Sequence, residues 1–147
     1  MKELDAQGMI CKSVRAHGGF ARKMSHRFLI GVPDLLVKLP DWDAMFLEAK
    51  WRDEPVQDDH RFKLKVTAQQ FRFLKEAQGA GLGSGIVSVL TFNKPGRGSR
   101  LKMGLYSLAA MEATDFTVDA RSHTVIHSRI DDPARLIASF QAAGGHL

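Results

Sequence analysis

Two short apolar runs constrain this chain most. Asp34 to Leu39 (DLLVKL) and Ala44 to Lys50 (AMFLEAK) flank the turn-rich segment Pro40-Asp41-Trp42-Asp43. The pattern predicts a β-hairpin. Leu35, Leu36, Val37, Met45, Phe46 and Leu47 are apolar on both faces, so the strands belong inside a sheet that is covered on both sides. Two carboxylates interrupt this apolar setting. If the hairpin turns about Asp41, Glu48 stands opposite Asp34, with Cβ atoms roughly 4.5–5.5 Å apart. Like charges at that distance repel unless one acid is protonated or a cation lies between them. Side chains alternate along a strand, so Lys50 shares the face of Glu48. A hard divalent ion such as Mg²⁺ suits two carboxylates and completes its shell with waters and phosphate oxygens. Two acids and a lysine then make a recipe for metal-assisted phosphodiester hydrolysis. An ion-paired patch at a sheet end is the competing account.

The rest of the chain builds one domain around that hairpin. At 147 residues a single core suffices. A hydrophobic share of 44% with 25% charged residues is an ordinary globular composition. No apolar run approaches the roughly 18 residues of a membrane span, and the start, MKELDAQGMICKSV, has no signal-peptide core. The single cysteine, Cys11, excludes an internal disulfide and a multi-cysteine zinc site. The expected setting is cytoplasmic, in a bacterial or phage-infected host cell, without membrane association. The net charge of +5 is uneven: residues 1–100 carry 17 basic and 11 acidic groups, the remainder 4 and 5. A local basic excess of this kind points to a polyanionic partner.

A helix is expected over 2–17, ended by Gly18-Gly19, then a short strand within Arg22 to Ile30. Residues 51–66 read as a polar loop with an extended piece at Phe62 to Val66. Thr67 and Gln70 form a capping box, with Val66 and Phe71 placed as a hydrophobic staple, for a helix to about Gln78. Strands follow at Ile86 to Phe92 and Leu101 to Ser107, a weak one at Thr124 to Ser128, and a helix at Pro133 to Ala143 capped by Asp131 or Asp132. This order implies an α/β fold, a central mixed β-sheet flanked by helices.

Other motifs carry less. Gly79, Gly81, Gly83 and Gly85 follow a helix and precede a strand, the reverse of a phosphate-binding loop, so no nucleotide cofactor is expected. His123 and His127 on a strand would stand roughly 13 Å apart, too far to share a metal. Cys11 reads as a small core residue. The basic residues have a clearer use. Arg61, Lys63 and Lys65 alternate along an extended segment. Lys94, Arg97, Arg100 and Lys102 surround a hairpin tip, and Arg22, Lys23 and Arg27 precede the first acid. All suit contacts to DNA phosphates.

The stretches GVPDLLV (31–37), FLEAK (46–50) and TAQQFRFLKEAQGAG (67–81), with Glu3 and Gln7 on the first helix, resemble the PD-(D/E)XK nucleases, and among them the VRR-type nucleases. The resemblance covers roughly residues 2–92. It implies a restriction-endonuclease-like core. It also implies a Mg²⁺-dependent endonuclease acting on DNA, with Mn²⁺ able to substitute, selective for branched, junction or flap structures. By position Asp34, Glu48 and the Ala49 carbonyl resemble the metal ligands, with Glu3 in support. Lys50 resembles the catalytic lysine, and Gln70 the glutamine near it. Ala68 stands where the family usually has proline, and 51–66 is long for the family. Residues 108–147 match nothing in it. A chain of this length leaves no room for a separate sequence-reading domain, and small nucleases of this kind are often homodimers, a symmetry that suits a junction. The rival expectations are a DNA-binding or assembly protein that keeps the fold without catalysis, and the nuclease subunit of a restriction or mobile-element system.

Overall fold

The computed structural model describes residues 3–24, 31–54, 60–93 and 99–147, with nothing described of the side chains of 3, 4, 93 and 99. Among the described residues four helices and eight strands lie in the order α1 (Glu3–Ala16), β1 (Phe20–Lys23), β2 (Leu35–Lys38), β3 (Met45–Asp53), β4 (Arg61–Lys63), α2 (Ala68–Gly79), β5 (Gly83–Asn93), β6 (Ser99–Tyr106), α3 (Leu108–Ala113), β7 (Thr117–Asp119), β8 (Thr124–Val125) and α4 (Asp132–Ala142). Six strands form the central sheet in the order β1-β2-β3-β5-β6-β8, while β4 and β7 pair separately. The pair β3–β5 is parallel and the other neighbours are antiparallel, so the sheet is mixed. The expected α/β sandwich is therefore present.

Strand alternation sorts the side chains into two layers. Met45, Leu47 and Ala49 of β3 join Leu35, Val37, Val87, Val89 and Met103 in one core. Helices α1 and α4 cover it through Ile10, Val14, Ala134 and Ile137. The Ser13 hydroxyl ties the two helices, donating to the Ile130 carbonyl at 2.5 Å and accepting from the Ala134 amide at 2.9 Å. Cys11 is buried in this layer, as expected. Gly85 admits the Phe140 ring of α4, since a Cβ there would lie 3.0 Å from it. The opposite layer holds Leu74, Ile86, Leu90, Leu108, Met111, Phe62 and Val118, from α2, β5, α3 and the β4–β7 pair.

Several boundaries depart from the expectations. β3 does not end at Lys50 but runs on to Asp53, because Trp51 is half-buried and the pairing with β5 continues through Asp53↔Thr91. The first strand begins at Phe20, before Arg22. Helix α3 and strand β7 were not expected; Ser107 caps α3 by accepting from the Ala110 amide at 3.1 Å. Strand β8 is only Thr124–Val125. Asp132 does not cap α4 from outside; it lies within the first turn and accepts from the His127 amide at 2.7 Å and the Ser128 amide at 3.2 Å, while Asp131, at the cap, makes no capping bond.

Candidate active site

The hairpin register fixes the acid pair. Leu35 faces Leu47, Leu36 faces Phe46 and Val37 faces Met45. One step further along that register, Asp34 comes opposite Glu48. Here β2 has ended, and the Asp34 carboxylate takes over the ladder, accepting from the Ala49 amide at 2.9 Å. Asp34 is 8% exposed and Glu48 is completely buried.

Glu48 is the costly residue. Neither of its carboxylate oxygens accepts a hydrogen bond from a described residue. The Lys50 ammonium lies 3.3 Å from Oε1, an ion pair without hydrogen-bond alignment. Burial, and after it the neighbouring Asp34 carboxylate, push the Glu48 pKa up to about 8, while Lys50 pulls it down. A buried, unsatisfied carboxylate costs several kcal/mol when ionised, so stability alone would not select it.

Lys50 is held from two directions. Its ammonium also donates to Gln70 Oε1 at 3.3 Å. The same oxygen accepts from the Thr67 amide at 3.0 Å, and Thr67 Oγ1 accepts from the Gln70 amide at 3.1 Å. Gln70 is thus the capping-box residue and the lysine's partner at once. Gly31 makes this approach possible. Its φ of +84° suits glycine, and a Cβ there would lie 2.8 Å from Gln69 Cβ. The segment leading to Asp34 therefore packs on the first turn of α2.

Beyond Lys50 the same face carries groups that sequence reasoning did not single out. Ser88 pairs with Lys50 across β3–β5 and is 1% exposed. Its hydroxyl lies 2.8 Å from His123 Nε2, and His123 Nδ1 lies 3.0 Å from the Asp119 carbonyl. A carbonyl only accepts, so Nδ1 carries the proton and Ser88 donates to Nε2. Burial keeps the His123 pKa low, which favours this neutral form. His123 thus links Ser88 to the Asp119 carbonyl, from the end of the 3-10 turn Ala120–Ser122 and not from a strand as expected. The alternation Trp51 inward, Arg52 outward was the available signal for Arg52.

The remaining expected residues divide. Glu3 opens α1, but its side chain is outside the described residues, as are Arg27, Lys94 and Arg97. Arg22 pairs with Leu36 and so shares the face of Glu48, whereas Lys23 pairs with Leu35 and takes the other. Both are exposed. Arg61, Lys63 and Lys65 are exposed with Phe62 and Leu64 buried between them, as their alternation implies. Arg100 is exposed on β6, opposite Phe92. Among the described residues no three His, Cys, Asp or Glu side chains gather as a metal-binding group; Asp34 and Glu48 are a pair. None of the described helices is long and apolar enough to cross a membrane.

No protein-family model matches the chain, and no curated protein matches it. A solved structure does. The fold is similar to that of Hjc, a Holliday junction resolvase from the archaeal hyperthermophile Archaeoglobus fulgidus, with a TM-score of 0.56 over 92% of this chain and 98% of that one, at 17% sequence identity. The chain thus has a restriction-endonuclease-like fold: a central mixed sheet flanked by helices, with the acid pair at the end of its β2–β3 hairpin.

Proposed function

We propose that this protein is a divalent-metal-dependent endonuclease that hydrolyses DNA phosphodiester bonds and selects branched, junction or flap structures. The observation that carries the reading is Glu48, completely buried, facing Asp34, with neither oxygen accepting a hydrogen bond from a described residue. The donor set fits a hard cation. Two carboxylates are what Mg²⁺ typically takes from a protein, and Mn²⁺ shares that preference. Asp34 and Glu48 would hold it, with the Ala49 carbonyl, on the same strand edge as the amide that Asp34 accepts from, as a further ligand. Bound there, such an ion supplies Lewis acidity toward a phosphate oxygen and lowers the pKa of a bound water.

The chain's own residues do the rest. The Ala49 amide fixes the Asp34 carboxylate in place. The Thr67–Gln70 box fixes Gln70 Oε1, which in turn orients the Lys50 ammonium. A preoriented cation beside the acid pair stabilises negative charge that develops on a phosphate in the transition state. Glu3, at the start of α1, is assigned by the sequence resemblance to support the metal or its water. Arg22, Lys23, Arg27, Arg61, Lys63, Lys65, Lys94, Arg97 and Arg100 contact the DNA backbone, and their role is to position it, not to read sequence. The likeness in fold to a Holliday junction resolvase supports the choice of branched DNA. The VRR-type assignment, the homodimer and the cytoplasmic setting belong to the same proposal and rest on the sequence.

The test is direct. The purified protein is incubated with Mg²⁺ or Mn²⁺ and labelled junction, flap, duplex and single-stranded DNA, beside Glu48→Ala and Lys50→Ala. Wild-type protein should cut branched DNA fastest. Lys50→Ala should lower the rate about 10²–10³-fold, as for loss of one transition-state donor. DNA that is bound but never cut, under either metal, would overturn the catalytic reading. Cleavage indifferent to Glu48→Ala would overturn the site.

A further inference from the structure

Strand β3 continues beyond the acid pair, and the next side chain on the face of Glu48 and Lys50 is Arg52. Strand β4 lies against this end of β3, with the Arg52 guanidinium 4.5 Å from the centre of the Phe62 ring. Between them is a cleft of about 450 Å³. Lys50, Arg52, Lys63 and Lys65 line it, with Ser88 beside them and Asp53 as the one acid. A concavity with four cations and one carboxylate concentrates anions.

The cations are presented for use. Among the described residues Arg52 spends Nε alone, which donates to the Asp53 carbonyl at 3.1 Å, and its stacking on Phe62 holds the planar fork in place. Lys65 has no ion-pair or hydrogen-bond partner among the described residues. Lys63 pairs with Asp115 at 2.9 Å, but both side chains are exposed, at 61% and 83%. Such a pair contributes little and exchanges readily.

The wall that carries Lys63 and Lys65 is fixed by an unusual turn. Asp115 and Phe116 both have positive φ, 50° and 62°. A bulky residue such as Phe is an outlier in that region. The turn is held by the Phe116 amide on the Met111 carbonyl, 2.8 Å, and by the Leu64 amide on the Phe116 carbonyl, 2.8 Å. The Phe116 ring packs edge-on against Phe71 of α2, 5.1 Å between centroids. Strain of this kind persists where surrounding structure over-determines it, often at ligand clamps.

We propose that this cleft binds a backbone phosphate of a nucleic-acid strand, next along the strand from the phosphate at Asp34, Glu48 and Lys50. Arg52, Lys63 and Lys65 are its contacts, and Asp115 holds Lys63 until a phosphate displaces it. The position relative to the scissile phosphate rests on the nuclease reading; the binding itself does not.

The experiment measures anisotropy of a labelled DNA duplex in EDTA across a salt series, for wild type, Lys65→Gln, Arg52→Gln and Asp115→Asn. Arg129→Gln serves as the control. It removes an exposed charge beside Ile130, on the α1 side of the sheet. Lys65→Gln and Arg52→Gln should each weaken binding severalfold and lower the slope of log K against log salt by about 1. Asp115→Asn should tighten binding, and asparagine tolerates the left-handed backbone. Arg129→Gln should leave the slope unchanged. Slopes for Lys65→Gln and Arg52→Gln that match Arg129→Gln would overturn the proposal, as would wild-type protein that binds no duplex. Wild-type cleavage is scored separately in Mg²⁺. Cutting with unchanged slopes removes the cleft and leaves the nuclease, whereas lowered slopes without cutting do the reverse.

Discussion

The two faces of the central sheet are built to different rules. On the α1–α4 face, β3 presents Met45, Leu47 and Ala49, all completely buried among other apolar groups. On the α2–α3 face the same strand presents Phe46, Glu48, Lys50 and Arg52, and its neighbour presents Ser88. One strand thus serves both purposes, with a period of two separating them. The first face contributes stability through close packing. The second contains a buried carboxylate that lacks a hydrogen-bond donor among the described residues and a cation it only partly engages. What the acid pair gives up is offset by apolar packing, across the whole α1–α4 face and, beside the site, by Leu74, Ile86 and Leu90 on the other.

That division can be broken by substitution, and the largest effect should come from the apolar face. Ile137 of α4 is completely buried in that layer. Ile137→Ala should lower unfolding free energy by about 2–5 kcal/mol through lost burial and a residual cavity. Cleavage by the folded fraction, measured well below the melting temperature, should change by less than about twofold, because the substitution leaves the polar face intact. Urea unfolding and single-turnover cleavage on the same preparation check both halves. A loss of cleavage out of proportion to the unfolded fraction would mean that the two faces are coupled.

The acid face should show the opposite response, through pH. The folded protein holds the Glu48 proton up to about pH 8, against an ordinary value of 4.5. Between those values the folded state binds this proton and the unfolded state does not. Its contribution to stability is therefore complete below about pH 4.5 and lost as pH rises through 8. In EDTA the wild-type melting temperature should fall across that window, at ~2–4 °C per kcal/mol for a chain of this size. Glu48→Gln removes the titration and should flatten the profile, so that the variant is the more stable protein at pH 9. Parallel profiles for the two proteins would show that Glu48 is ionised throughout and that Lys50 compensates it fully.

What could be read from sequence follows the same division between near and far. The hairpin was legible because its turn, Pro40 to Asp43, lies between the two strands and sets their register. The opposition of Asp34 and Glu48 then follows by counting. The capping box was legible because Thr67 and Gln70 are three residues apart. The β4–β7 pair was not. Its two three-residue strands are joined by Arg61↔Asp119, 58 positions apart, and although the alternation about Phe62 was visible, nothing local says what it pairs with. Helix α3 has six residues, too few for a periodic signal, although Ser107 before Leu-Ala-Ala was a usable cap. The Ser88–His123 contact joins a strand to the end of a 3-10 turn, 35 residues apart, and only the fold brings them together. Local chemistry thus yielded the acids, the lysine and the capping role of Gln70, whereas its place near the lysine was implied only by the family resemblance. The polar groups around them came from pairings that no short window contains.

The smallest effect tests where the two kinds of information meet, at Gln70. Its side chain serves the helix, by accepting from the Thr67 amide, and the site, by accepting from Lys50. Thr67→Ala removes the other half of the cap and should cost about 1 kcal/mol, with Gln70 still beside Lys50. Gln70→Ala should cost a similar amount of stability and also release the lysine. The two variants should therefore melt alike and cut differently. Gln70→Ala should lose cleavage rate with little change in the half-saturating DNA concentration, since Lys50 would be misaligned, not removed. Gln70→Glu keeps an acceptor oxygen for both partners and should restore much of that rate. If Thr67→Ala and Gln70→Ala lose the same cleavage activity for the same stability, Gln70 acts only as a cap, and the lysine is oriented by Glu48 alone.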